Sequence, residues 1–393
     1  MYSKIQMENV LELHRGYDLP ERERCDGIIP IISSSGYSGC HNQFKCDGEN
    51  VITGRYGTIG EVFFYEGKCW PLNTALYVSD FKGNYPRYIY YLLKYVLKSS
   101  VDGKDKSTVP GVDRNVLHQM QVPYCSGFQN QKNLIKILEN IDKKIELNKH
   151  INDNLEQQLT TLYDYWFTQY DFPDENGKPY QSSGGKMVMN NCLKKKIPDG
   201  WNVESVYSNQ FSSIIKPGVD KFDTKTYFAT ADIKGTSISS GTLIDYENRE
   251  NRANMQPSVN SVWFAKMKNS IKHLYLNEEM LPIILSSILS TGFCGLQCSD
   301  VSFEYMASYI SNTYFETHKD MLAHGATQEA VNNDDLAGIH IVIPDDKTLQ
   351  NYHRITQPIY SQISKNICEN QELVKIRDWL LPMLMNGQAT ISD

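Results

Sequence analysis

The side chains best suited to chemistry in this sequence fall in four polar clusters. The stretch Gly54-Arg55-Tyr56-Gly57-Thr58-Ile59-Gly60 puts Arg55, Tyr56 and Thr58 on a glycine-rich turn. Glycines there let backbone come close to a phosphate. Lys104, Lys106, Ser107 and Arg114 add positive charge on an expected loop. Lys266, Lys268, Asn269 and Lys272 form a third cluster, and His324-Gly325-Ala326-Thr327-Gln328 is a fourth. Arg and Lys pair with phosphate or guanine edges, and Asn and Gln with adenine. Each cluster alone also fits an exposed hairpin tip, so none is specific in isolation. Together they suit the reading of an extended polar ligand.

Signatures of catalysis are thin. The spacing Gly54-x-x-Gly57-x-x-Gly60 is neither a GxxxxGK[ST] phosphate loop nor a GxGxxG dinucleotide fingerprint. An Asn/Asp-Pro-Pro-aromatic tetrapeptide, the usual amino-methyltransferase pocket, is missing. Pro173-Asp174-Glu175-Asn176-Gly177-Lys178 has the charges of a nuclease cluster at the wrong spacing, and reads as solvated charge. Cys40, His41 and Cys46, with Cys25 or Cys69, lack the paired knuckle of a zinc site. No metal site is expected. Cys294 and Cys298, beside Gly292 and Gly295, read as packed small residues.

The elements that must carry the clusters are written twice. Leu134, Leu138, Ile141, Ile145, Asn148, Asn152, Leu155, Leu159, Leu162 and Trp166 recur at alternating steps of four and three. That is the a/d spacing of a coiled coil. The series returns 218 positions on (Leu134 to Tyr352) as Tyr352, Thr356, Ile359, Ile363, Asn366, Asn370, Leu373, Arg377, Leu380 and Leu384. Asn148/Asn152 and Asn366/Asn370 fall at the same phase, and polar seam residues fix register when they meet each other. Antiparallel pairing sets Asn148 against Asn370 and Asn152 against Asn366, with Ile141 opposite Arg377 and Leu162 opposite Thr356 as poorer fits. A parallel register aligns the Asn residues too, so the pattern leaves orientation open.

The repeat extends outward. Val112, Leu117, Met120 and Val122 match Val331, Leu336, Ile339 and Ile341 at a shift of 219 (Val112 to Val331). Val51, Ile52 and Arg55 correspond more loosely to Val262, Trp263 and Lys266. Strands are expected over Asn50–Thr53, Glu61–Tyr65, Ala75–Val78, Ser261–Ala265 and Ile339–Ile343. Helices are expected over Arg87–Lys98, Glu278–Leu289 and Phe303–Thr313. The chain therefore divides into a domain (1–128), a helix (129–170), a Pro/Gly-rich exposed linker (171–196), a second domain (197–346) and a second helix (347–393).

Composition bounds the setting. A net charge of −7 and a pI near 5.8 give no bulk sign of nucleic-acid binding, although local basic faces can act on an acidic protein. Met1-Tyr2-Ser3-Lys4 lacks the apolar core of a signal peptide. Met280–Leu289 is too short to span a bilayer. Nine Cys without a CxxC pair suit reduced thiols. A soluble cytoplasmic protein is expected.

Taken in order, the fragments resemble the specificity subunit of type I restriction–modification systems. They are Gly54–Gly60, Trp70-Pro71-Leu72-Asn73-Thr74-Ala75-Leu76-Tyr77-Val78, Val109-Pro110-Gly111-Val112-Asp113-Arg114 and Ile145-Glu146-Leu147-Asn148. Tyr165-Trp166-Phe167, Gly177-Lys178-Pro179-Tyr180, Ile197-Pro198-Asp199-Gly200-Trp201 and Gly325-Ala326-Thr327-Gln328 with Val331-Asn332 complete the set. The resemblance implies a mixed α/β fold: two target-recognition domains joined by two long helices in an antiparallel coiled coil, with an internal pseudo-twofold repeat. It implies a non-catalytic reader of double-stranded DNA, each domain taking one half of a bipartite site. Two modification (methyltransferase) subunits and restriction (translocase/nuclease) subunits would be its partners. S-adenosylmethionine, ATP and Mg²⁺ belong to those partners, with no cofactor in this chain. Met1-Tyr2 lacks the Trp-containing lead-in seen at Trp201, so the first domain is expected to miss an edge element or to start upstream. A helix from Leu134 to Trp166 is roughly 50 Å long at about 1.5 Å per residue, against roughly 34–36 Å per turn of B-DNA. The competing expectation is a coiled-coil adaptor that binds proteins only.

Overall fold

The computed structural model describes residues 2–55, 60–102, 113–239 and 241–389. The chain forms two compact units: Met1–Lys143 with Val374–Asp393, and Lys144–Leu373. Each unit therefore contains one end of both long helices.

In the first unit the strands are β1 (Tyr2–Gln6), β2 (Glu12–Arg15), β3 (Ile29–Ser33), β4 (Gly36–His41) and β5 (Glu49–Gly54). Then come β6 (Val62–Glu66), β7 (Trp70–Pro71), β8 (Ala75–Asp80), helix α1 (Pro86–Asp102), the short α2 (Arg114–Gln119) and β9 (Gln121–Cys125). One sheet runs β2-β8-β5-β6 and is antiparallel throughout; a second runs β4-β3-β7, with β3 parallel to β7. β1 pairs with β9, Ile5 opposite Val122, so the edge expected to be missing is filled. The apolar face of α1 packs Ile89, Leu92, Leu93 and Val96 against Val51, Val62 and Leu76 of the first sheet. Leu134, Leu138, Leu381 and Leu384 from the ends of the long helices share that core.

The first long helix, α3, runs Phe128–Tyr163 and ends in a π-turn over Asp164–Thr168. The second unit continues with the hairpin β10 (Met187–Asn190) and β11 (Lys195–Pro198), then β12 (Asn202–Ser205), β13 (Ser212–Ile214) and β14 (Lys225–Phe228). Short pieces follow: β15 (Ile233–Lys234), β16 (Ser237–Ile238), β17 (Thr242–Ile244) and β18 (Ala253–Met255). β19 (Ser261–Ala265) and β20 (His273–Leu276) form the main hairpin, followed by α4 (Leu281–Ser286), β21 (Ser287–Ser290) and β22 (Phe293–Cys298). The unit closes with α5 (Phe303–Ser311), α6 (Thr313–Leu322), β23 (His340–Ile343) and the long α7 (Asp346–Met385).

The sheets of this unit run β13-β22-β19-β20 and β17-β14-β21-β18. The first has the strand order of β2-β8-β5-β6. In the second, β14 and β21 are parallel, as β3 and β7 are. β12 pairs with β23 as β1 does with β9. The repeat inferred from apolar spacing is thus a repeat of topology. At the centre Gly295 lies under Trp263, whose ring a Cβ would meet at 2.6 Å.

Two expectations fail. The helix expected over Glu278–Leu289 is a short 3₁₀ turn and α4, after which Ser287–Ser290 extends as β21 between β14 and β18. An apolar run of that length suits a buried strand as well as a helix, and pairing to two neighbours decided it. The segment 171–196, though mostly exposed, is folded and not a free linker. Phe172 stacks on Trp201 at 4.8 Å and on Tyr180 at 4.7 Å, and β10 pairs with β11. Aromatic burial outweighs the turn-rich composition.

The helix pairing is antiparallel in each unit. In the second, Asn148 Nδ2 donates to Asn370 Oδ1 at 3.0 Å and Asn366 Nδ2 to Asn152 Oδ1 at 2.7 Å. Asn152 Nδ2 also donates to the Ile363 carbonyl at 3.2 Å. In the first, Arg377 avoids facing Ile141 by turning to Asp142, Nη1 to Oδ1 at 3.0 Å. Thr356, the other poor fit, is buried and donates to the Tyr352 carbonyl of its own helix.

Candidate nucleic-acid interface

The β19–β20 turn and the loop after α6 form one surface in the second unit. Lys266 N–H donates to the Gly292 carbonyl at 2.9 Å, and its own carbonyl accepts from Val331 N at 3.1 Å. Met267 and Ala330 form a β-bridge, and Lys268 N–H donates to the Glu329 carbonyl at 3.0 Å. Lys268 Nζ also reaches Glu329 Oε2 at 2.7 Å. Asn269 has φ +56° and gives its N–H to both carboxylate oxygens of Asp320 at 3.2 Å. Left-handed backbone is tolerated by Asn more readily than by most residues.

His324 and Ala330 exchange backbone hydrogen bonds, which closes the loop bearing the exposed Thr327 and Gln328. Gly325 sits at φ +138°, and a Cβ there would meet the Gln328 carbonyl at 2.4 Å. The His324 ring lies 3.5 Å from Asp335 Oδ2 and 3.2 Å from Asn332 Nδ2. So Lys266, Lys268, Asn269, His324, Thr327 and Gln328 are brought together. Lys272 is not with them: its ammonium turns to the Thr230 carbonyl. The exposed amides and hydroxyl of Asn269, Gln328 and Thr327 have the donors and acceptors that base edges require. The Lys268 charge is offset by Glu329, so a phosphate there would have to displace a carboxylate.

Three buried polar residues escaped the sequence reading. His273, Glu316 and Lys319 form a buried charge cluster beneath this surface. Glu316 accepts from His273 Nε2 at 2.8 Å and from Lys319 Nζ at 2.5 Å. Burial pushes the Glu316 carboxyl up, but the His273 and Lys319 hydrogen bonds outweigh it and hold the group below the ordinary carboxylate range. The signal available was Glu316-x-x-Lys319, an i,i+3 pair on the face of α6 that also carries the buried Phe315.

In the first unit Arg55 leaves β5, the topological counterpart of β19, and its N–H donates to the Thr74 carbonyl at 2.9 Å. Thr74 Oγ1 accepts from Ser34 N at 3.4 Å, and Arg15 Nε reaches the Asn73 carbonyl at 3.4 Å. The turns around Ser34 and Asn73–Thr74 thus flank Arg55, an arrangement that isolated clusters in the sequence did not reveal. Arg114 is the exposed first residue of α2, whose N-terminus is capped by Asp113 accepting from Asn115 N at 2.8 Å. Tyr56, Thr58, Lys104, Lys106 and Ser107 lie outside the described residues. Among the described residues no cluster of His, Cys, Asp and Glu has the grouping of a metal site, and no helix is long and apolar enough to cross a membrane.

Known proteins resemble this chain in sequence and fold. Residues 2–157 match the family described as the type I restriction modification DNA specificity domain. The chain is 25% identical over 319 residues to the MjaIX type I restriction enzyme specificity subunit of Methanocaldococcus jannaschii, covering 78% of this chain and 69% of that one. It is 21% identical over 310 residues to the HindI specificity subunit of Haemophilus influenzae, covering 66% and 67%. The fold is similar to the crystal structure of the S subunit of a type I restriction–modification system from M. genitalium. That likeness has a TM-score of 0.50 at 13% identity and covers 100% of this chain and 97% of that one. With its twice-built sheets and Asn-registered helices, the chain is similar to the specificity subunits of type I restriction–modification systems.

Proposed function

We propose that each unit presents one target-recognition domain to one half of a bipartite DNA site, and that α3 and α7 fix the spacing between the halves. The observation that carries this reading is the repeat itself. Two sheets of one strand order end in hairpin turns at Arg55 and Lys266, flanked by different residues, while the paired helices keep one Asn register. Constant helices with divergent tips let sequence preference change without changing spacing.

The chain is a non-catalytic subunit of a larger complex, working in the cytoplasm. Two modification subunits dock on the helices and domains and bring S-adenosylmethionine to the target adenines. Restriction subunits add ATP- and Mg²⁺-dependent translocation and cleavage. This chain's part is to bind and orient: lysine and arginine hold phosphates, and Asn269, Thr327 and Gln328 address base edges.

The test is the adenine-methylation motif written in a genome by the complex of this chain with its modification subunits, read by modification-sensitive sequencing. A split motif with a fixed gap is expected. Assembly with those subunits but no preference over scrambled DNA would leave a protein-binding adaptor in its place.

A further inference from the structure

Lys319 has no exposed side-chain surface. Its ammonium meets Glu316 Oε2 at 2.5 Å, lies 3.7 Å from Asp320 Oδ1, and donates to the Ser270 carbonyl at 3.3 Å. Glu316 is held from its other side by His273 Nε2 at 2.8 Å. One residue along α6, Asp320 takes the Asn269 N–H. Two successive residues of α6 therefore grip two successive residues of the β19–β20 turn, one at a carbonyl and one at an amide.

Holding the helix to the sheet does not require this. Burying an ion pair costs desolvation, and an apolar pair of similar volume packs as well or better. The first unit shows the alternative: Val62 opens the return strand of its hairpin, where His273 opens the return strand here, and is buried among apolar neighbours. An apolar pair cannot hydrogen-bond the Ser270 carbonyl. The two ends of the turn are held elsewhere, Lys266 and Lys268 by Gly292, Val331 and Glu329 and Lys272 by Ala265 and Gly235, while at its tip the left-handed Asn269 and Ser270 are held by α6.

We propose that Lys319 and Asp320 are positioning residues for DNA recognition by the second unit. The buried Lys319–Glu316–His273 cluster anchors the tip of the 266–272 turn at Ser270, and with it the placement of Lys268 and Asn269 against the bases. This rests on the reading that the second unit recognises one half-site.

The experiment uses the full chain assembled with its modification subunits and a pool of randomised DNA duplexes, sequenced for methylated adenine. Lys319→Met alone leaves Glu316 without its ammonium partner and is expected to lower Tm. The double variant Lys319→Met/Glu316→Leu replaces the pair by apolar volume and is expected to recover part of that Tm, the remainder being the cost of leaving His273 without its Glu316 partner. Recognition is not expected to recover with it. Discrimination should fall about tenfold at positions of one half-site, the scale of a lost base contact, with the other half unchanged. Asp320→Ala, at a partly exposed position, should produce the same one-sided loss and serves if the double variant fails to fold. Wild-type discrimination in either the refolded double variant or Asp320→Ala overturns the proposal. A wild-type complex with no split motif overturns the half-site reading itself, and the positioning role with it.

Discussion

At Asn148 a fully buried carboxamide directs its N–H groups across the helix pair, to Asn370 at 3.0 Å and to Glu369 Oε2 at 2.7 Å. Its carbonyl oxygen is buried with no hydrogen-bond partner among the described residues. A buried acceptor left unpaired costs about 1–3 kcal/mol, so the amide is retained at some expense in stability. That expense is intelligible if the side chain selects a register. Leu at both Asn148 and Asn370 removes the unpaired oxygen and adds apolar contact, and Glu369 keeps Lys144 at 3.2 Å. We expect Tm to hold or rise while methylation activity of the assembled complex falls or its motif gap becomes less uniform. Calorimetry and motif sequencing on the same preparation check this. A variant with unchanged assembly, activity and gap would remove the register argument.

Individual elements were unequally legible. The long helices could be read because a seam repeating every three and four residues leaves few alternatives, and the two Asn layers narrowed the register to one for each orientation. Orientation could not be read, since both registers align the same residues; the Asp142–Arg377 pair and the leucines it separates exist only in the antiparallel arrangement. The 171–196 segment was misread because Pro and Gly report local backbone, whereas Phe172 reports burial only once it is seen stacked on both Tyr180 and Trp201. On α6 the charged residues drew no expectation from the sequence, because only packing against the β19–β20 turn buries Glu316 and Lys319. The α6–β20 cluster also makes a pH-dependent contribution. Burial raises the Glu316 carboxyl, but hydrogen bonds from His273 and Lys319 outweigh this, so its folded pKa lies below its unfolded value of about 4.3. A depressed carboxylate stabilises the fold fully above the unfolded pKa, and the contribution is lost as pH falls through the folded one. Glu316→Gln should therefore cost roughly 3–5 kcal/mol near neutrality, as for breaking a buried pair. The gap in Tm between variant and wild type should narrow from about pH 4 downward. A gap that stays constant into acid would show that the Glu316 charge contributes nothing.

Across the whole chain, the same topology is built twice with little residue identity carried between the copies. β2-β8-β5-β6 and β13-β22-β19-β20 share strand order, and β1–β9 and β12–β23 close each unit in the same way. What differs is concentrated at the hairpin turns: the first unit has Arg55 beside the Ser34 and Thr74 turns, and the second has Lys268 paired with Glu329 and Asn269 and Ser270 gripped by α6. Such a division allows one unit to change its preference without disturbing the other, because the residues that set preference share no turn. Exchanging residues 1–128 for the corresponding part of a relative keeps α3 and α7, and with them the Asn148–Asn370 and Asn152–Asn366 layers. The substituted chain should pair with the same modification subunits and write a motif with one half replaced, while the other half and the gap are retained. The Leu134, Leu138 and Leu384 contacts sit at the graft boundary, so the donor must supply an apolar counterpart to Ile89 and Leu93 for the new unit to fold. With that condition met, a motif in which both halves change would show that each unit contributes to both half-sites, and the one-unit, one-half assignment would fall.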